Sequence, residues 1–115
     1  MQIRSEAIEG FECVFLKGRL DIAGTQAVDL KFTALTAAQR KPVMIDLSDV
    51  DFISSIGIRM LVSNAKTLGA SAAKMVLVKP QRFVMDVLCT TGIDRLIPIA
   101  DSTSDAAAIL RSVDA

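Results

Sequence analysis

Two short runs of almost continuous apolar residues constrain the fold of this chain more than any other feature. The first covers residues 43–47 and follows Pro42, and the second covers residues 75–78 and is followed by Lys79 and Pro80. Apolar runs of this length without alternation indicate strands that are buried on both faces, as in the middle of a parallel sheet. We therefore expect the rest of the chain to supply helices that pack on a central sheet.

Two segments beside these runs have the apolar spacing of amphipathic helices. The first extends from about residue 23 to residue 40, and the second from about residue 56 to residue 68. Their predicted inner faces carry Ala27, Leu30, Ala34, Ala37 and Ala38 in the first helix, and Ile58, Leu61, Val62, Ala65 and Leu68 in the second. Gly69 is the predicted end of the second helix, because glycine readily adopts the left-handed backbone that terminates helices.

Two further helices follow the second apolar run. The third ends at Gly92, and its inner face carries Val84, Val87, Leu88 and Thr91. The fourth takes Asp101 or Thr103 as its N-cap and continues through Leu110.

The chain begins with the pattern of a β-hairpin. A moderately apolar segment at residues 1–8 is followed by a turn at residues 9 and 10 and by a strand at residues 11–16. A last short strand at residues 96–99 contains Pro98, which favours an edge position. The element order β-β-α-β-α-β-α-β-α predicts an α/β fold in a single domain over residues 1–115. Its sheet should be mixed and mainly parallel, with an N-terminal hairpin and about four helices.

The composition argues against several classes of function. Lys and Arg together number 13, as do Asp and Glu, so the chain lacks the basic excess of a nucleic-acid-binding protein. No stretch approaches the ~20 apolar residues that span a bilayer, so we expect no membrane insertion. The first residues lack the basic and then apolar order of a secretory signal, so we expect a cytoplasmic location.

Catalysis and metal binding are also disfavoured. The chain has no His, which removes histidine-dependent nucleophilic catalysis and histidine-ligated metals. No acid–base pair with a pocket can be named, so we expect no catalytic residue, no metal and no cofactor. Cys13 and Cys89 lie far apart without a CxxC motif, and we expect both to be buried free thiols. A phosphoaccepting signal receiver is rejected, because its acidic pair would fall where residues 7–9 read Ala-Ile-Glu.

Residues 43–61, VMIDLSDVDFISSIGIRML, resemble the signature of the STAS domain family. That family contains bacterial anti-sigma factor antagonists and the cytoplasmic tails of sulfate transporters. Residues 18–21 (GRLD) are similar to the family's turn before the first helix, and residues 91–93 (TGI) to its end of the third helix. The element order also matches, so the resemblance covers essentially the whole chain. It implies a STAS-like fold and a regulatory role through protein–protein interaction.

The centre of this motif is a strand, a hydroxyl-rich loop and the start of a helix. Ser54 or Ser55 is the right residue type to N-cap that helix. The first turn of a helix is locally positive and has free N–H groups, so it can also hold a phosphate. Ser54 and Ser55 are therefore candidates both for a helix cap and for phosphorylation.

This sequence departs from the family pattern next to Gly57. Well-studied antagonists resemble Asp-Ser-Ser-Gly here, and the hydroxyl just before the glycine accepts the phosphate. In this chain Ser54 replaces the aspartate, Ser55 matches the first serine, and Ile56 occupies the acceptor position. Either regulation by phosphorylation is absent, or it has moved to Ser55 or Ser54.

A docking rim is predicted beside the buried stripe of the second helix. On a helical wheel Ile56, Met60 and Asn64 flank that stripe, and we expect Ile56 and Met60 to be partly exposed next to Arg59 and Lys66. Asp21 either caps the first helix or contacts the partner. The partner-binding candidates are Asp21, Ser54, Ser55, Ile56, Gly57, Arg59 and Met60.

The leading functional hypothesis is a STAS-type interaction module. The resemblance implies that it binds an ATP-dependent anti-sigma kinase of the GHKL type and so regulates the availability of a sigma factor. The alternative is a STAS regulatory subunit of a membrane transport complex, in which the same face docks on a transporter subunit. An enzyme is the least favoured class.

Overall fold

A computed structural model of the protein describes residues 1–112, and its elements follow the order expected from the sequence. The strands in this range are β1 (Gln2–Ile8), β2 (Phe11–Leu20), β3 (Val43–Ile53), β4 (Met75–Val78) and β5 (Ile99–Ala100). The helices in the same range are α1 (Ile22–Leu35), α2 (Ser55–Ala70), α3 (Arg82–Thr90) and α4 (Thr103–Arg111). Short 3-10 turns at Ala37–Gln39 and Ile93–Arg95 follow α1 and α3.

The five strands form one sheet in the order β1-β2-β3-β4-β5. β1 pairs with β2 antiparallel, and every other neighbouring pair is parallel. The hairpin turn places Glu9 and Gly10 at φ of 57° and 84°, which is the left-handed geometry that matches the twist of two-residue hairpins. The predicted α/β fold with a mixed, mainly parallel sheet is therefore confirmed.

Apolar side chains on the two faces of the sheet form two separate cores. Ile45 of β3 belongs to the larger core, which also contains Phe32 of α1, Leu61 of α2 and Leu88 of α3. The neighbouring residue in β3, Met44, belongs to the smaller core with Ala106, Ala107 and Leu110 of α4. Alternate side chains of β3 are thus buried on opposite faces, as the continuous apolar run predicts.

The predicted inner face of α1 is wrong. Leu30 is 88% exposed, and Ala27, Ala34 and Ala38 also face solvent. The buried residues of α1 are instead Thr25, Val28 and Phe32. Both stripes have helical spacing, but the stripe with Phe32 and Val28 removes more apolar area from water, so it faces the core. Ala37 is buried as expected, in the 3-10 turn that follows α1.

Several predicted element boundaries also differ from the structure. β3 continues through the expected loop to Ile53, because Val50 and Ile53 face the core while Asp49 and Asp51 alternate toward solvent. β2 likewise continues to Leu20. α2 runs past Gly69. The last strand is only Ile99–Ala100, because the Leu96 and Ile97 N–H groups both donate to the Ile93 carbonyl, each at 2.9 Å, and so do not join the sheet.

The fourth helix has a different cap from the two that were expected. The Ser102 hydroxyl accepts a hydrogen bond from the Asp105 N–H at 3.0 Å, so neither Asp101 nor Thr103 is the N-cap. The third helix ends as predicted, since Gly92 adopts φ of 79° directly after it.

The only acid within the apolar run of β3, Asp46, is buried inside the protein. Asp46 is 3% exposed. Its Oδ1 accepts hydrogen bonds from the Ser48 N–H at 2.9 Å and from the Ser48 hydroxyl at 2.6 Å, and the Lys79 ammonium lies 3.8 Å from Oδ2. A buried carboxylate is tolerable with these donors and this counter-charge.

The two cysteines have different environments. Cys13 is fully buried, and burial together with the nearby Asp46 carboxylate raises its pKa to about 12. Cys89 is exposed on α3, so the expectation that it is buried is wrong. Desolvation and the nearby Asp94 carboxylate also raise the pKa of Cys89, so the two residues should differ in reactivity mainly because only Cys89 is accessible.

We predict that native protein at pH 8 reacts with Ellman's reagent at one thiol per chain, and that the second thiol reacts only after denaturation. Cys13 is inaccessible and has almost no thiolate at that pH, whereas Cys89 is accessible. The Cys89→Ser protein is the control, and it should show no fast reaction. A fast native reaction in that variant would contradict the burial of Cys13.

Candidate functional site

The ends of β2 and β3 bring the candidate residues together. The two strands are parallel and Leu20 pairs with Ile53, so α1 and α2 both begin at the same edge of the sheet. The Leu20 carbonyl accepts hydrogen bonds from both the N–H and the hydroxyl of Ser54, each at 2.9 Å. This pair of hydrogen bonds ties the start of α2 to the start of α1.

Gly57 lies in the first turn of α2 and packs directly on this tie. It is buried, and a Cβ atom at this position would lie 3.0 Å from the Leu20 Cβ, 3.0 Å from the Leu20 carbonyl oxygen and 3.1 Å from the Ile53 Cγ1. A residue with a Cβ atom here would force Leu20 or Ile53 to move by a few tenths of an ångström, so glycine allows α2 to approach β2 closely. The prediction that Gly57 opens the second helix is confirmed, and its role there is packing.

Asp21 is the N-cap of α1, as one of its two predicted roles requires. Its Oδ1 accepts a hydrogen bond from the Gly24 N–H at 2.8 Å, and its backbone carbonyl accepts from the Thr25 N–H at 2.9 Å. The Arg19 Nε lies 3.7 Å from Oδ2, and both side chains are substantially exposed. Asp21 therefore fixes the turn while keeping part of its carboxylate at the surface.

The two serines of the motif have different environments. Ser54 is at the N-cap position, but its hydroxyl donates to Leu20 and accepts no hydrogen bond from the first turn of α2, so a side-chain cap by Ser54 is wrong. Ser55 is the first residue of α2 and is exposed. The N–H groups of a first helical turn have no intrahelical partner, so the surface around Ser55 offers hydrogen-bond donors.

The predicted rim is only partly exposed. Ile56 is half-buried and Arg59 is exposed, as expected, but Met60 is 5% exposed and Asn64 is buried. α1 packs beside this face of α2. There the Thr36 hydroxyl shares its single proton between the Phe32 carbonyl at 2.8 Å and the Asn64 Oδ1 at 3.2 Å. A polar pair between two helices therefore widens the buried face of α2 beyond its apolar stripe.

A row of stacked side chains, formed by Arg19, Phe52 and Phe83, lies at the same edge of the sheet and was not predicted from the sequence. Arg19 and Phe83 are exposed, and Phe52 is partly buried. The Arg19 guanidinium lies 4.3 Å from the centre of the Phe52 ring, and the Phe52 and Phe83 rings stack with centroids 5.8 Å apart. Phe83 is 51% exposed. The three residues come from β2, β3 and α3, so no local spacing relates them. The one signal in the sequence that could have indicated this row was Phe83, a large apolar residue outside the predicted inner face of the third helix.

The site presents exposed hydroxyl and charged side chains. Within residues 1–112, no three His, Cys, Asp or Glu side chains come together in an arrangement that could hold a metal ion. None of the helices in that range has the length and apolar character needed to cross a membrane. The geometry suits a contact surface, with Ser55 and Arg59 exposed on a helix whose start is fixed by Leu20 and Gly57.

Residues 2–106 match the family model of the STAS domain, and the chain belongs to this family. A relative from Bordetella bronchiseptica, the proposed anti-sigma factor antagonist BtrV, is 27% identical over 112 residues, which are 97% of both chains. The crystal structure of a proposed anti-sigma factor antagonist from Thermotoga maritima superposes with a TM-score of 0.85 at 23% identity, covering 95% of this chain and 94% of that one. The murine solute carrier 26 family member A9 anion transporter contains a similar fold. Its TM-score is 0.75 at 20% identity, and the match covers 95% of this chain and 19% of the transporter.

We predict that Gly57→Ala lowers the free energy of unfolding by about 1–2 kcal/mol. Overpacking costs about 1–3 kcal/mol, and the helix preference of alanine over glycine offsets about 0.5–1 kcal/mol of it. Gly69→Ala in the same helix is the matched control, because a Cβ there meets no atom within 4 Å. It should raise stability by about 0.5–1 kcal/mol. Urea unfolding of both variants measures the effects, and equal stabilisation by both would refute the close packing of Gly57.

Proposed function

We propose that this STAS domain is an anti-sigma factor antagonist that binds an anti-sigma factor, a kinase of the GHKL type, and so makes a sigma factor available. The family and the name of the Bordetella relative support this class of function. The single observation that carries the proposal is the exposed first turn of α2, held beside the Asp21 turn by the double hydrogen bond to Leu20. A surface fixed in this way is preorganised for docking, which lowers the entropy cost of binding.

The predicted partner-binding residues divide into two roles in this proposal. Ser55 and Arg59, which are exposed, and Ile56, which is half-buried, would contact the partner together with the free part of the Asp21 carboxylate. Ser54, Gly57 and Met60 would position that surface, because each of them packs or bonds inside the protein. The contact surface would thus be a small apolar centre with a polar and charged surround, as is common in protein interfaces.

Ser55 is the better candidate of the two serines for phosphorylation. It is exposed at the first position of α2, where a phosphate would meet free N–H groups and the positive end of the helix dipole. The Ser54 hydroxyl is already engaged by the Leu20 carbonyl. A phosphate on Ser55 would add about −1.5 to −2 charges next to Ile56, and would weaken an apolar contact there.

We predict that incubation with the cognate kinase and ATP places phosphate on Ser55. Peptide mass mapping should find it there in wild-type protein and in Ser54→Ala, and should find none in Ser55→Ala. Ile56 has no hydroxyl, so the usual position before Gly57 stays unmodified. Stoichiometric phosphate on a residue far from this loop would show that the loop is not the switch.

We predict that Ile56→Asp weakens partner binding by several kcal/mol while lowering the free energy of unfolding by only about 1 kcal/mol. An unpaired carboxylate in an apolar contact loses its hydration without gaining a partner, whereas a half-buried position tolerates it in the free protein. The partner is first recovered by pull-down from native lysate. Isothermal titration then gives its affinity, and thermal melts give the stability of the variant.

Leu30→Asp is the matched control for this experiment. It makes the same kind of change at a site on α1 that is 88% exposed and lies outside the proposed contact surface. It should bind like wild type. A folded Ile56→Asp protein that binds the partner with wild-type affinity would contradict the docking proposal.

A regulatory subunit of a membrane transport complex is the second candidate function. The similarity to the domain within the murine anion transporter favours it, as a likeness of fold. The same surface would then dock on a transporter subunit. The pull-down separates the two candidates when it includes detergent-solubilised membranes, since a kinase supports the first function and a permease the second.

A further inference from the structure

A groove of about 420 Å³ runs between α1 and α2, next to the candidate docking surface. One wall is formed by α1 and the other by α2. Most of the residues that line it have hydroxyl, amide or charged side chains, while Ala37, Ile56 and Met60 add apolar surface. Volumes of about 300–1,000 Å³ are typical of sites for small molecules. We refer to this feature as the α1–α2 groove.

Two buried polar side chains, Thr25 and Asn64, are among the residues that line the groove. Thr25 is 2% exposed, and its Oγ1 forms no hydrogen bond with any residue in the described range 1–112. Asn64, also buried and lining the groove, uses one amide hydrogen for the Met60 carbonyl and its Oδ1 for the Thr36 hydroxyl. Its second amide hydrogen is left over. Buried polar groups are normally satisfied, so these two side chains have unmet hydrogen-bonding capacity beside the groove.

The two walls of the groove carry opposite charges. Asp29 on α1 and Arg59 on α2 both line it, and both are exposed. Neither side chain forms an ion pair with another residue among 1–112. Each charge is therefore available to a ligand that brings its own counter-charge.

We propose that the α1–α2 groove binds a small zwitterion with a polar, uncharged body, of the size of an amino acid or a dipeptide. The ligand's ammonium group pairs with Asp29 and its carboxylate with Arg59, which suits a guanidinium donor. The polar body supplies the hydrogen bonds that Thr25 and Asn64 lack. A polyanion such as a nucleotide fits less well, because the groove has a single cation and an opposing carboxylate.

The ligand would also act on the docking surface. Ile56 and Arg59 line the groove and belong to the proposed contact surface. A zwitterion that engages Arg59 would change the side chain that the partner meets. This regulatory part rests on the proposed function, whereas ligand binding by the isolated protein does not.

The test uses L-glutamine and glycyl-L-glutamine as probes on the purified full chain. Amide chemical shifts in a ¹⁵N-labelled sample should change with either probe, and the changes should map to the groove sides of α1 and α2. N-acetylglutamine lacks the ammonium group and glutaminamide lacks the carboxylate. Each should bind at least tenfold more weakly than the zwitterions. Equal binding of the capped compounds, or no groove shifts with either zwitterion at millimolar concentration, would overturn the proposal.

Variants identify the groups that hold the probe. Asp29→Asn should weaken glycyl-L-glutamine binding at least tenfold, and Asp86→Asn on α3, outside the groove, should leave it unchanged. Thr25→Val replaces the hydroxyl by a methyl group of similar shape. Without ligand it should melt at the same or a higher temperature, and it should bind the dipeptide more weakly. Wild-type affinity in both Asp29→Asn and Thr25→Val would refute the assignment, whatever the result of the partner experiments.

Discussion

The Leu20 carbonyl oxygen accepts two hydrogen bonds from Ser54, and Gly57 packs against the same residue without a side chain. β2 ends at Leu20 and β3 ends at Ile53, so this contact joins two of the strand-to-helix junctions, the one from β2 to α1 and the one from β3 to α2. The positions of α1 and α2 relative to each other depend on it. The exposed turn at Ser55 and the groove between the two helices would both change shape if the contact were lost.

The sheet explains why these junctions lie at one edge. Parallel pairing from β2 to β5 places the carboxyl ends of those strands together, and α1, α2 and α3 begin there and return over one face. The short α4 covers the other face through Ala106 and Leu110. In open sheets with this arrangement, binding surfaces commonly form at the carboxyl ends of the strands.

Much of this architecture could be predicted from the sequence, because it depends on local patterns. The apolar runs predicted β4 and the first half of β3. Asp21 has the residue type and the position in the sequence that predict a helix N-cap. The rest depends on contacts between distant segments. Ser54 forms hydrogen bonds with Leu20, 34 positions away in the sequence. The buried Asn64 contacts Thr36, 28 positions away. No local pattern reveals such partners.

The prediction of the inner face of α1 was wrong for a different reason. Its sequence contains two stripes with helical spacing, one rich in alanine and one with Val28 and Phe32. Spacing alone ranks them equally, whereas the area removed from water favours the larger side chains. The stacking of Phe52 on Phe83 could not be predicted either, because the two residues lie in separate elements that only the fold brings together.

Hydrogen–deuterium exchange of the domain, alone and bound to the protein recovered from native lysate, tests the docking surface most directly. Amide exchange slows where a partner covers or stabilises the backbone. We expect new protection at residues 19–22 and 54–60, and none at α4 or β5. Protection confined to the α4 face, with unchanged exchange at the start of α2, would contradict the proposal that this domain docks through the turn that Leu20 and Gly57 hold in place.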